Sequence, residues 1–404
     1  MEDQFVAVAR PNGGSPLGLA FALHPDIEVS IATWPLMRRR GWSAALALGV
    51  LGCGPHPPGA IGFAYGIPDS ASLVTVLRAE LSQARDPRAP QLATLPAGII
   101  QRSPPGLPAG AVEVAAWIVK VPGIVGAVGP ADSRASLLAA PIYAEAGVPQ
   151  IVPNSTSRLL RDAGPWTFTL SPDDSLEGAF IGAFIVDSLA ARSATIFYDE
   201  DEYGVGLRDG VQHELDRRGR TVLAALSIRD VCSGTADASI ALGVPAAAPP
   251  SVVVVATRAA DAICIARRVL VRLPRMRFVA GDGVEFNAAY RQEAGAVAQA
   301  FYTVAFWDPA APGESASTFR DRFRSVVGRD PLPTDALIYD AVMVLAEAAR
   351  RNGGRRAAMR DYLRSLGRSI PPYQGVTGPI MLGGAGLVAT ARPMVMLRAA
   401  AAAP

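Results

Sequence analysis

The stretch VGAVGPADSRASLLAAPIYAEAGVPQIVPNSTSRLL (Val125–Leu160) passes twice from an apolar run, through a turn, into helical spacing. GIVGAVGP (123–130) suits a strand buried on both faces and ended by a Gly-Pro turn. SRASLLAAPIYAEAG (133–147) follows with helical spacing and a closing Gly147, and VPQIVP (148–153) is again strand-like. A strand, a helix and a second strand in this order predict a parallel pair, because the helix must carry the chain back to the edge where it started.

The same alternation runs outward. AIGFAYGI (60–67), SATIFYD (193–199), TVLAALSI (221–228), SVVVVAT (251–257) and RFVAGD (277–282) read as strands. Helical stretches lie between or beside them at 70–85, 109–121, 173–192 and 203–219. This predicts an α/β fold with a doubly wound parallel sheet. The helix at 173 has clear start signals: Ser171 as N-cap, Pro172 at the first position, and Asp173 and Asp174 in the first turn. The rhythm breaks at QAFYTVAFWDPAAPGESAS (299–317), two helices follow, and YQGVTGPIML (373–382) is strand-like.

Upstream, MRRRGWSAALALGVLGCG (37–54) has the order of an export signal: arginines, a short apolar run, small residues and a cysteine. The apolar part is too short for the roughly 20 residues that span a bilayer. Val50-Leu51-Gly52-Cys53 resembles the lipobox of bacterial lipoproteins, which implies that Cys53 carries lipid and begins the mature chain. Residues 1–36 are then an upstream extension ahead of the true start at Met37, 37–52 the signal peptide and 53–59 a tether.

Half of the residues are hydrophobic, 18% are charged, and the formal charge is +2, which gives no footing for nucleic acid. Cys232 and Cys264 are either paired or two separate buried thiols. Three histidines and the absence of a CxxC motif speak against zinc, and neither a G-x-S-x-G elbow nor a Cys–His pattern appears, so no metal, cofactor or enzymatic role is expected. In YDEDEYGVGLRDG (198–210) the glycines miss the dinucleotide spacing by one residue, and Tyr203 and Gly210 stand where a calcium loop needs oxygen ligands. The expectation there is a solvated acidic turn. More informative are two strand-to-helix turns, GPADSRAS with Ser133 and PNSTSRLL with Ser155 and Thr156. Each lies at the carboxyl end of a parallel strand and offers hydroxyls and backbone N–H groups suited to a carboxylate, or simply N-caps.

These residues, with FTLSPDDSLEG and FYDEDEYGVGL, resemble the leucine/isoleucine/valine-binding group of type I periplasmic binding proteins, the substrate-binding components of ABC importers. The resemblance covers about 120–382 and is weak before 120, where the family's glycine-rich first turn is not evident. It implies two doubly wound parallel-sheet lobes joined by three hinge crossovers, near Leu170–Pro172, Thr303–Phe306 and Val376–Pro379. The first lobe is then 60–171 plus 304–376, and the second 172–303 plus 377–404. By position, Ser133, Ser155 and Thr156 hold the α-carboxylate of an amino acid or similar small solute, Tyr203 closes from the second lobe, and Asp282 holds the α-ammonium. Asp132 and Arg258 are further cleft candidates, with a surface-pointing Arg258 as the plainer expectation. The implied protein is a monomeric, lipid-tethered, extracytoplasmic binding protein whose partners are its ligand and a membrane permease. The alternative is an envelope lipoprotein that senses a ligand or scaffolds a partner such as a cell-wall synthase.

Overall fold

The computed structural model describes residues 59–64, 70–83, 89–94, 108–232, 249–382 and 393–399. The export segment, Cys53 and the tether as far as Pro58 lie outside the described residues. None of the described helices is long and apolar enough to cross a membrane.

Two sheets form the frame. The first has strand order β2-β1-β3-β4-β5, from β1 (Ala60–Phe63), β2 (Gln91–Thr94), β3 (Ile124–Val128), β4 (Gln150–Val152) and β5 (Thr167–Thr169), all parallel. The second has the order β13-β10-β9-β8-β6-β7, from β6 (Ser193–Tyr198), β7 (Thr221–Ser227), β8 (Val252–Ala256), β9 (Phe278–Ala280), β10 (Phe301–Ala305) and β13 (Val395–Arg398). Only β13, at the edge, runs antiparallel to its neighbour. The continuous valine run of β8 is explained by its central place, since Val252 to Val255 are fully buried. Edge strand β7 instead alternates exposed and half-buried residues.

The helix Asp174–Asp187 lies against the helix Glu202–Arg217, and glycines permit the contact. A Cβ on Gly178 would stand 2.4 Å from the carbonyl carbon of Gly210, and one on Gly210 would stand 2.6 Å from the carbonyl oxygen of Asp174. The spacing that failed as a nucleotide fingerprint therefore serves close helix packing.

The chain leaves the first sheet after β5 and enters the second lobe at the helix Asp174–Asp187, with Leu170 in the first core. That helix starts two residues later than its signals predict. Asp173, not Ser171, is the N-cap and accepts from Ser175 and Leu176, while the Ser171 hydroxyl donates to the Pro153 carbonyl. The chain returns after β10, where Phe306 packs with the second core and Trp307 with the first. The third crossover is not at Val376–Pro379. That segment is a hairpin of β11 (Tyr373–Gly375) and β12 (Gly378–Ile380), and Ile380 and Leu382 are buried in the first core. Its turn is held by Asp340, which accepts from the backbone N–H groups of Val376 and Thr377 at 2.9 Å each. Residues 377–382 thus pack with the first lobe, and the chain next appears in the second sheet at β13.

Cys232 and Cys264 form a disulfide 32 residues apart, which ties the end of the short helix Arg229–Cys232 to the helix Ala259–Arg272. Closing a loop of about 30 residues restrains the unfolded chain by roughly 3–4 kcal/mol in the chain-entropy account. A Cys232→Ser/Cys264→Ser variant should therefore melt several degrees below the parent. A reductant should lower the parent's Tm to that value and leave the variant's unchanged.

Candidate functional site

Strands β3, β4, β5, β6, β8 and β9 each deliver their carboxyl ends to a turn, and the candidate residues sit in those turns. Ser133 follows β3, Ser155 and Thr156 follow β4, and Asp174 follows β5; Asp199 and Asp201 follow β6, Arg258 follows β8 and Asp282 follows β9. In open α/β sheets this edge is where ligands bind.

On the first lobe the two hydroxyl turns are joined to each other. Asp132 is the N-cap of the helix Ser133–Glu145 and accepts from Ala135 at 2.6 Å, so Ser133 is released from capping. The Ser133 hydroxyl oxygen instead accepts from the backbone N–H groups of Thr156 and Ser157, at 3.3 and 3.2 Å. Its own hydrogen is left to donate. Ser155 pairs with Ser136 at 2.7 Å. Thr156 is 2% exposed, and its hydroxyl has no hydrogen-bond partner. The helix expected after this turn is only a 3-10 helix, Arg158–Asp162, capped by Ser157. What the turns present together is a small donor-rich surface of the kind a carboxylate would fill.

On the second lobe the prominent feature is acidic. Asp282 and Gly283 form the turn after β9; the N–H of Asp282 donates to Glu177 Oε1 at 2.7 Å, and that of Gly283 to the Tyr203 hydroxyl at 3.0 Å. Asp174 and Glu177 are fully buried. Both carboxylate oxygens of Asp174, Glu177 Oε2 and Asp282 Oδ1 lack hydrogen-bond partners. Burial pushes Asp174 up to about 8, against a modest lowering by the nearby Thr156 hydroxyl, with which it forms no full hydrogen bond. Burial likewise pushes Asp282 up to about 6, in spite of Tyr203 and Arg258, and holds Glu177 well above the carboxylate range, helped by Asp282 and Asp174. The backbone N–H of Asp174 donates to the Thr156 carbonyl at 2.9 Å, and Glu177, on the same helix, holds the Asp282 turn, so the acidic cluster and the hydroxyl turns share one place. Tyr203 is buried in the second core rather than free to swing, with its hydroxyl engaged by Gly283.

Arg258, its side chain still 37% exposed, turns onto acids rather than out into solvent. Its guanidinium meets Asp201 at 2.5 Å, Asp199 at 2.8 Å and, from the first lobe, Asp132 at 3.3 Å, and it lies over the Tyr203 ring at 5.3 Å from the centroid. Burial works against its charge, but Asp201, Asp132 and Asp199 more than offset this and hold its pKa above the usual value. The acidic turn after β6 is therefore a cation clamp, not a solvated loop. Asp199 and Asp201 were legible only as surface acids because their partner lies nearly 60 residues on. Asp174 and Glu177 were missed as site residues because acids in a first helical turn already have an explanation in the helix dipole. Their signal was the pairing at i and i+3, which puts both on one helix face.

Beside Asp282 a cavity of about 520 Å³ opens, lined among others by Asn154, Phe286, Thr303, Phe306, Thr334 and Leu337. At its wall the lobes touch through the Thr334 N–H, which donates to Glu285 Oε2 at 3.0 Å. Among the described residues no cluster of His, Cys, Asp or Glu is arranged to hold a metal ion.

Residues 103–403 match the family model described as periplasmic binding protein. The chain belongs to that family. This periplasmic binding protein is 26% identical over 236 residues to a Leu/Ile/Val-binding protein homolog of Brucella abortus, covering 57% of this chain and 61% of the relative. It thus matches about six-tenths of the length of such relatives. An amino acid binding protein of Pseudomonas aeruginosa is 32% identical over 113 residues, 28% of this chain and 30% of the relative. The fold is shared with a leucine binding protein from Thermotoga maritima, at TM-score 0.71 and 22% identity over 84% of this chain and 94% of that one. It is shared also with a Streptococcus pneumoniae branched-chain amino acid substrate binding protein in complex with isoleucine, at TM-score 0.70 and 21% identity over 84% and 95%. Both are two-lobed, as the paired sheets here are.

The buried acids set a pH dependence for the unliganded protein. A carboxyl whose pKa is raised on folding stabilises the fold while protonated, and that contribution is lost as pH rises through the folded value. Stability should fall as pH rises above about 4, the unfolded carboxyl value, with the contribution of Asp282 ending near 6 and that of Asp174 near 8. Each group contributes up to about 1.4 kcal/mol per pH unit inside its window. Denaturant melts from pH 5 to 9 should show this slope, and Asp174→Asn should make it shallower up to about pH 8, leaving the share of Glu177.

Proposed function

We propose that this chain is the solute-binding component of an ABC importer. It captures an amino acid or a similar small amine-bearing solute between its lobes and is held at the extracytoplasmic face of the membrane by lipid on Cys53. The observation that carries the proposal is the pairing of unlike half-sites at the carboxyl ends of two parallel sheets. Ser133 and the partnerless Thr156 hydroxyl supply donors for an anion, and the Asp282 carboxyl, with a partnerless oxygen, supplies an acceptor for an ammonium. Ser155 supports the donor turn from below through Ser136, and Tyr203 sets the Asp282–Gly283 turn rather than acting as a free lid.

Relatives named for binding leucine, isoleucine or valine support the amino-acid class. The disulfide supports an oxidising compartment, since such bonds persist outside the cytoplasm and are rare within it. Arg258 and Asp132 join the lobes across the cleft, so their ion pair belongs to the closed form that a permease would recognise.

A ligand at 100 times its Kd stabilises the native state by about 2.7 kcal/mol, a melting shift of a few degrees. A panel of amino acids spanning neutral, acidic and basic side chains should produce such a shift for one class. Asp282→Ala should abolish it, and Thr156→Val should weaken binding at least about tenfold, as expected for a lost hydrogen bond to a charged group. Cys53→Ser should move the exported protein from the membrane fraction to the soluble fraction. A flat panel with a folded protein would overturn the solute-binding reading.

A further inference from the structure

The cleft carries more carboxyl groups than one ammonium group can answer. Arg258 is surrounded by Asp132, Asp199 and Asp201, a local surplus of two negative charges once the arginine is counted. Asp174, Glu177 and Asp282 then add three carboxyls that make no ion pair among the described residues; Arg158 and Arg258 act on them only at a distance. Asp174 and Glu177 are one helical turn apart on one face of their helix, and such neighbours have Cβ atoms about 5–6 Å apart. Glu177 reaches the Asp282 turn directly, through the Asp282 N–H.

Ordinary structural roles do not absorb these oxygens. Asp173, not Asp174, caps the helix, and only one oxygen of Glu177 is used, on the backbone of Asp282. Apart from the approach of Glu177 and Asp282 to each other, four buried carboxyl oxygens in the cluster lack a hydrogen-bond partner, and the Thr156 hydroxyl beside Asp174, 2% exposed, lacks one too. Glycine at 206 matters for the same reason, because a Cβ there would stand 2.4 Å from Asp174 Oδ2. The helix Glu202–Arg217 leaves that carboxyl its space.

We infer that the cleft takes a solute with net positive charge: an α-amino acid or amine whose first ammonium meets Asp282 and whose second cationic group sits against Asp174 and Glu177. This rests on the solute-binding reading of the same cleft and narrows it. A neutral zwitterion brings one ammonium and one carboxylate and leaves the acidic surplus unchanged. A second ammonium or guanidinium reduces it and gives the partnerless oxygens donors. The raised pKa values of the three carboxyls agree, because burial without a cation is what holds them protonated.

The test is isothermal titration of the purified full chain with L-lysine, L-ornithine, L-norleucine, L-leucine and L-glutamate at pH 7.5. L-norleucine matches the lysine chain without its terminal ammonium, so the central comparison needs no variant. The expected result is binding of L-lysine or L-ornithine at least about 100-fold tighter than L-norleucine, with Glu177→Gln losing at least about tenfold for the cationic ligand alone. Norleucine or leucine binding as tightly as lysine would overturn the inference and leave the solute-binding reading standing. Silence from every probe, with the protein shown folded by its melting transition, would overturn both.

Discussion

A parallel sheet constrains everything built on it. Each strand must be reached again from the same end, so every connection climbs back through a helix and every carboxyl end opens onto the same edge. In this chain two such sheets, β1–β5 and the parallel part of β6–β10, bring six turns to a shared cleft. The chemistry of the site is therefore assembled from residues scattered between Asp132 and Asp282, none of which is a sequence neighbour of its counterpart on the other lobe. The hinge follows from the same constraint, since the chain can change lobes only where a strand ends. It does so after β5, after β10 and again between Leu382 and β13.

Two electrostatic arrangements share that cleft and behave differently. Around Arg258 a single cation is hydrogen-bonded by acids of both lobes, so its burial is compensated and the arrangement couples the lobes. Around Asp282 three carboxyls are buried with no cation in contact, an arrangement that works against stability and persists because the surrounding packing over-determines it. The helices Asp174–Asp187 and Glu202–Arg217 supply that packing through Gly178, Gly206 and Gly210. Sites that must receive charge are often kept in such a state, because the compensation is supplied by what binds.

The fold was largely legible because its signals are local. Apolar runs of five or six residues between amphipathic helices name a parallel α/β sheet, and the valines of β8 sit where a doubly buried strand puts them. The errors came where a local signal had two explanations. YQGVTGPIML is apolar enough for one strand, but Asp340, more than 30 residues earlier, folds its middle into a turn. Ser171 is a good cap by type, yet Asp173 captures the free N–H groups first, and the serine turns back to Pro153.

The sequence alone determined the class of fold, the positions of the strand-ending turns and the types of side chain they carry, because periodicity and turn chemistry act over a few residues. Tertiary structure decided what those side chains face. It turned Arg258 inward onto Asp132, gave Ser133 the backbone of a second turn instead of its own helix, and gathered Asp174 and Glu177 beside Asp282. The physical reason is that charge compensation and hydrogen-bond partnership depend on distance in space, and here every partner that matters is 20 to 130 residues away in the chain.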